Sequence, residues 1–265
     1  MSNNEHTEQL RAADLTVVAA DPSCAAGAAD LAERLGAACA AKPPSPQEAP
    51  LYLSLGSNGL ALVGGKMELR GDFCRMLPRI RPGKLQQELL VKAAKIKGSG
   101  TWERPPLAVD ATAGLGEDSL LLAAAGFRVV MFEHDPVIGA LLQDALRRAA
   151  ADPALVPVVE RMELRLESSV DALPRLDEQP DVVLLDPMFP ARTKSASVKK
   201  KFQLLHFLEK PCTNEEDLVS AAIAAQPRKI VIKRPPKGPH LAGIKPAYSL
   251  TGKAVRYDCL VLARS

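Results

Sequence analysis

Three stretches of this sequence place reactive residue types where a fold could use them. The most informative is Asp186-Pro187-Met188-Phe189-Pro190, directly after the apolar run Val182–Leu185. A carboxylate, a proline and an aromatic in one stiff turn suit a planar exocyclic amine, whose lone pair is shared with its ring. Acceptors aimed at the two amine hydrogens favour a pyramidal, nucleophilic nitrogen, and Asp186 and the carbonyl of Pro187 can be those acceptors. Pro187 has a fixed φ and no N–H, which helps hold that carbonyl in place. Phe189 can stack on a base. In the bland reading, the same residues form a turn in which Asp186 caps the next segment.

The second stretch is Val109 to Asp118, VDATAGLGED. A strand ends in Asp110, a turn carries Gly114 and Gly116, and a helix opens at Glu117 and Asp118. In an open α/β sheet, nucleotide-like ligands sit at this carboxyl edge, and glycines let the backbone come close to them. A dinucleotide fingerprint would need Gly or Ala where Ser119 stands, which counts against a hydride-transferring enzyme. The third is Glu133, 23 residues after Asp110, closing the next strand. A carboxylate there can accept from ribose hydroxyls, or simply be solvated. Together the second and third stretches favour an adenosine-containing cofactor, with His134 bordering it. His6, His206 and His240 show no metal-ligand spacing, and no metal is expected.

The elements that position these residues alternate. Strands are expected at Leu107–Asp110, Arg128–Glu133, Met162–Leu166, Asp181–Leu185 and Lys229–Ile232, and a last one at the sheet edge over Val255–Ala263. Helices are expected over Leu85–Ile96, over Glu117–Ala125 and after Asp135-Pro136, an N-cap followed by a proline at the first helical position. Short solid apolar strands alternating with helices imply a doubly wound, mostly parallel sheet. Before it, Leu15–Ala20 reads as a strand and Cys24–Ala41 as a helix. Leu51–Leu55, Leu60–Val63 and Met67–Phe73 read as a β-meander. The division is then a small α/β appendage over 1–83 and a catalytic domain over 84–265.

The 265 residues suit one large domain with an appendage, and 47% hydrophobic with 25% charged residues excludes a disordered or fibrous chain. The net charge of +3 hides an asymmetry. Pro187 to Ser265 holds 15 basic and 5 acidic residues, against 19 and 26 in residues 1–186. Arg192, Lys194, Lys199, Lys200 and Lys201 form one run, and Lys233 and Arg234 belong to a second. Two such runs beside the site suit a phosphate backbone better than an idle solvated face. Five unpatterned cysteines and no apolar leader or membrane-length run suggest reduced thiols in a cytoplasmic protein.

At these residues the chain resembles a known family. The Asp186 turn is similar to the Asp/Asn-Pro-Pro-Tyr/Phe motif of methyltransferases acting on exocyclic amines. VDATAGLGEDS, FEHDP, LLDPMFPARTKSASVKKK and VIKRP together look like the bacterial small-subunit ribosomal RNA guanine-N2 methyltransferases of the RsmJ type. The likeness spans roughly Leu51 to Ser265. It implies the class I methyltransferase fold, S-adenosylmethionine as donor, and a guanine near the 3′ end of 16S rRNA as acceptor, with small-subunit RNA or the small ribosomal subunit as partner. By resemblance, the cofactor contacts are Glu117 and Asp118, Glu133 with His134, Ser168 and Ser169, and Asp186. The family commonly has Arg where Glu117 stands, so a contact there would run through the backbone. Two rivals stay open: N6-adenine methylation of RNA or DNA, and an RNA-binding assembly factor without turnover.

Overall fold

The structure is a computed structural model, described over residues 11–45, 49–96, 104–187, 204 and 214–263. The chain forms two compact units. The first comprises Met1–Gly71, Asp135–Ala145 and Met188–Pro211; the second comprises Asp72–His134, Leu146–Pro187 and Cys212–Ser265.

The first unit is built on β1 (Thr16–Ala19), helix α1 (Ala25–Leu35), β2 (Ala38–Ala40), β3 (Tyr52–Gly56), β4 (Gly59–Gly64) and β5 (Met67–Leu69), in sheet order β2-β1-β3-β4-β5. The expected meander is present as antiparallel β3-β4-β5. The helix expected over Cys24–Ala41 stops at Leu35. Gly36 adopts φ 63° as a left-handed cap, and the chain turns back into β2, parallel to β1. Such a glycine is a common end to a helix.

In the second unit, the helix expected over Leu85–Ile96 is shortened to α4 (Leu89–Ala94), and two short helices, α2 (Leu77–Ile80) and α3 (Pro82–Leu85), precede it. Arg81, before Pro82, has ψ 138°, and Glu88 has ψ 128°, so the helical path breaks at both. The sheet strands are β6 (Leu107–Asp110), β7 (Arg128–Phe132), β8 (Met162–Arg165), β9 (Val182–Leu185), β10 (Lys229–Arg234), β11 (Tyr248–Thr251) and β12 (Arg256–Val261). Among them lie α5 (Glu117–Ala124), α6 (Pro136–Ala149), which begins in the first unit, α7 (Val156–Val159), α8 (Ser169–Ala172) and α9 (Glu215–Ala224). Asp135 Oδ1 accepts from the N–H groups of Val137 and Ile138 at 2.9 Å, the cap expected for α6.

The sheet order is β11-β12-β10-β9-β6-β7-β8. The five strands from β8 to β10 run parallel; β12 is antiparallel to β10 and to β11. This is the expected doubly wound, mostly parallel sheet. Its strands β6 and β9 are buried at every position, as their solid apolar sequences require. One expectation is corrected: β12 is not the edge strand. It lies between β10 and β11 with four buried residues in a row, and the largely exposed β11 takes the edge. Strand order reverses between β6 and β9, which sit side by side although β7 and β8 separate them in sequence. That is the place where open α/β sheets bind ligands.

At the opposite edge, buried Asp181 ties three strands together. Its Oδ2 accepts the Leu107 N–H, its own N–H donates to the Leu107 carbonyl, and its carbonyl accepts from Lys229. Among the described residues no helix is long and apolar enough to cross a membrane.

Candidate active site

Two carboxylates end the neighbouring strands β6 and β9. Asp110 is 2% exposed. Its Oδ2 accepts the Ser119 hydroxyl at 2.6 Å and its Oδ1 accepts the Thr112 N–H at 3.2 Å. Burial pushes its carboxyl up to about 7; the Ser119 bond pulls the other way. The Thr112 hydroxyl in turn accepts the Asp186 N–H at 2.7 Å, linking the β6 turn to the residue that follows β9. Ser119, read from sequence only as a mismatch, is the fully buried strut of this turn. A hydroxyl nine residues after the strand-end Asp was the signal for it.

The turn itself needs its glycines. Gly114 has φ 54° and Gly116 φ 75°, and side chains rarely adopt this left-handed backbone. A Cβ placed on Gly114 would meet nothing within 4 Å, so open space lies over the turn. Glu133 is 7% exposed, not the solvated carboxylate of the bland reading. Its Oε2 accepts the Gly114 N–H at 3.0 Å. A carboxylate has lone pairs for further donors. His134 beside it is exposed, with Nδ1 3.8 Å from Glu133 Oε1. Ser168 precedes α8 as its N-cap residue and Ser169 is buried in its first position, beyond the end of β8.

Asp186 and Asp118 meet at one cation. The Lys233 ammonium donates to Asp118 Oδ2 at 2.7 Å and to Asp186 Oδ2 at 2.8 Å. Burial raises the Asp186 carboxyl above the ordinary aspartate value, and Lys233 works against that rise. Burial would lower Lys233, but Asp118 and Asp186 raise it above the ordinary lysine value. Tyr257 on β12 is buried within the same field, its phenol raised first by burial and then by Asp118. Glu117 is exposed beside Asp118 in the first turn of α5. Pro187 is buried.

The basic residues sort differently from the sequence reading. Arg234 is 2% exposed; its Nε donates to the Pro239 carbonyl at 2.8 Å and its Nη1 lies 3.7 Å from Glu215. Burial leaves it no surface for a phosphate. Lys233 is occupied by two carboxylates, and Lys229 is buried, donating to the carbonyls of Ala93 and Lys95. The β10 members of the second charge run are therefore withdrawn from the surface, whereas Arg228, Lys237, Lys245 and Lys253 of the same run are exposed. Phe189, Arg192, Lys194, Lys199, Lys200 and Lys201 lie outside the described residues.

The fit to an adenosine cofactor rests on the open space over Gly114, the acceptor Glu133 beside it, and the carboxylates Asp118 and Asp186 at the switch point. Comparison with known proteins agrees. A family model described as "Putative SAM-dependent methyltransferase" matches residues 40–262. The chain is 39% identical over 251 residues to ribosomal RNA small subunit methyltransferase J of Pseudomonas aeruginosa strain UCBPP-PA14, covering 92% of this chain and 93% of that one. It is 41% identical over 220 residues to the protein of the same name from Thioalkalivibrio sulfidiphilus, covering 80% and 85%. Its structure is similar to the crystal structure of a SAM-dependent methyltransferase from Neisseria gonorrhoeae, with TM-score 0.72 and 30% identity over 93% of this chain and 95% of that one.

Proposed function

We infer, from the premise that this chain belongs to the SAM-dependent methyltransferase family of ribosomal RNA small subunit methyltransferase J, that it methylates the exocyclic N2 amine of a guanine in 16S rRNA. The observation that carries the reading is Asp186, held as a partly buried carboxylate at the end of β9 beside the glycine turn of β6.

S-adenosylmethionine supplies a methyl group on a positively charged sulfur with a good leaving group. The residues that hold it are Gly114, Gly116, Glu117 and Asp118 along the turn and first helical residues, Glu133 and His134, Ser168 and Ser169, and Asp186. The protein's own work is placement. Glu133 accepts from ribose hydroxyls while keeping the Gly114 N–H. Asp186 and the Pro187 carbonyl accept the two amine hydrogens, which directs the nitrogen lone pair out of the ring plane. Phe189 stacks on the guanine. Positioning and exclusion of water supply most of the acceleration for such a displacement. Arg192, Lys194, Lys199, Lys200 and Lys201 hold the RNA backbone. The same reading places the protein in the cytoplasm, with residues 1–83 as an appendage to a methyltransferase domain over 84–265.

Methyl transfer to deproteinised small-subunit RNA, or to small subunits lacking the mark, tests the reading. Mass spectrometry should map one N2-methylguanine that is lost in cells without the protein. Methyl on an adenine N6 would replace the substrate assignment, and no transfer to either preparation would replace catalysis with an assembly role.

A further inference from the structure

Lys233 stands out among the basic residues because one ammonium serves two carboxylates from different elements, Asp118 on α5 and Asp186 after β9, at 2.7 and 2.8 Å. The three residues are partly buried, so their charges are poorly screened. A third carboxylate, Asp110 at the end of β6, lies within electrostatic range of both. The groups facing Asp186 are Asp110, Asp118, Tyr257, Arg234 and Lys233. Of the two cations, Arg234 is engaged with Pro239 and Glu215. Lys233 is thus the cation in hydrogen-bond contact with Asp186. Without it, Asp118 and Asp186 would be like charges at close range, and one would take up a proton.

We propose that Lys233 is a positioning residue for methyl transfer, which keeps Asp186 ionised and fixed against Asp118 so that it can accept the amine hydrogen. This inference rests on the proposed role of Asp186 and changes the role of Lys233 from phosphate contact to internal counter-ion. It also separates Lys233 from the run at 199–201. Arginine can bridge two carboxylates, so Lys233→Arg should retain much of the effect, whereas Lys233→Met and Lys233→Gln cannot supply the charge.

The test combines two measurements. A ¹³C carboxyl NMR titration reads Asp186 directly, its signal identified by loss in Asp186→Asn. Single-turnover methylation against pH reads its consequence. In Lys233→Met and Lys233→Gln the Asp186 midpoint should move up by about one pH unit or more, and the acid limb of the rate profile should move with it. Lys233→Arg should stay near wild type in both, and the salt dependence of RNA affinity should be unchanged in all three. An unmoved midpoint in a folded neutral variant, or a reduced salt slope with an unmoved pH profile, overturns the inference in favour of a phosphate contact. If wild type transfers no methyl at all, the functional reading fails while the titration still decides the role of Lys233.

Discussion

Asp110 and Asp186 end adjacent parallel strands, yet the fold treats them in opposite ways. Asp110 has both oxygens occupied by neutral donors, the Ser119 hydroxyl and the Thr112 N–H, with no cation in hydrogen-bond contact among the described residues. Asp186 carries an ammonium on Oδ2 and lies where the chain leaves the sheet. Burial raises both carboxyls, but a counter-ion opposes the rise at Asp186. The first is a strut held by neutral donors; the second, in the proposed role, acts as an anion. Two carboxylates at one sheet edge are therefore told apart by their partners rather than by their positions.

The comparison breaks most sharply if Asp186 proves dispensable. Asp186→Ala should lower the single-turnover methylation rate by about 2.7–4 kcal/mol in activation free energy, by analogy with removing one preorganised hydrogen-bonding group at a site of developing charge. Asp186→Asn keeps an oxygen without its charge and should fall between. A rate within a few-fold of wild type in the alanine variant, at saturating cofactor, would make Asp186 a second strut.

Glu133 extends the comparison to a third strand end, where a carboxylate oxygen holds the Gly114 N–H of the turn and the proposed role adds ribose hydroxyls. Glu133→Ala should weaken S-adenosylmethionine binding by about 1–3 kcal/mol in calorimetry, since buried hydroxyls lose a charged acceptor. Unchanged affinity in a folded variant would confine Glu133 to the turn.

A pH-dependent effect sharpens the Asp110 side. Its folded carboxyl titrates near 7 against an ordinary 3.8, so the native state binds the extra proton between those values. Its stabilising contribution is full below about pH 4 and is lost as pH rises through about 7. Asp110→Asn, which cannot ionise, should remove that pH dependence, up to about 4 kcal/mol, from denaturant unfolding curves. An identical stability profile in wild type and variant would mean that Asp110 is already ionised in the folded protein.

The last test contrasts the β10 lysines with the lysine run at 199–201. Charge reversal at Lys199, Lys200 and Lys201 should reduce the salt slope of RNA binding by ~0.7–0.9 for each phosphate left without its lysine. Cofactor affinity should stay near wild type. An unchanged slope would leave the run without a role in holding RNA.

The strand-turn-helix at β6 and α5, the acid after β7 and the strand that ends at Asp186 were all legible in the sequence, because each is a local pattern with a local cause. What was not legible depends on distant neighbours. Lys229, Lys233 and Arg234 look like part of a basic surface until β10 is seen between β9 and β12. Their partners come from α4 and the residue after it, from α5 and α9, and from the segments at 186 and 239. Ser119 was judged against a fingerprint written for another ligand, and its partner Asp110 shows why a hydroxyl is useful there. Strand β2 was hidden because Ala38, Cys39 and Ala40 continue an alanine-rich composition, and Gly36 was the one local sign of the break.

The separation of Asp118 from Lys233 by 115 residues has a consequence in time. A ribosome adding roughly 5–20 residues each second needs about 6–23 seconds to pass from one to the other. Over that interval a nascent chain already displays the glycine turn, and later the Asp186 turn, without the ammonium that joins them. The chain emerges with its carboxylates first and its counter-ion last, so the site is electrostatically incomplete until β10 has left the exit tunnel.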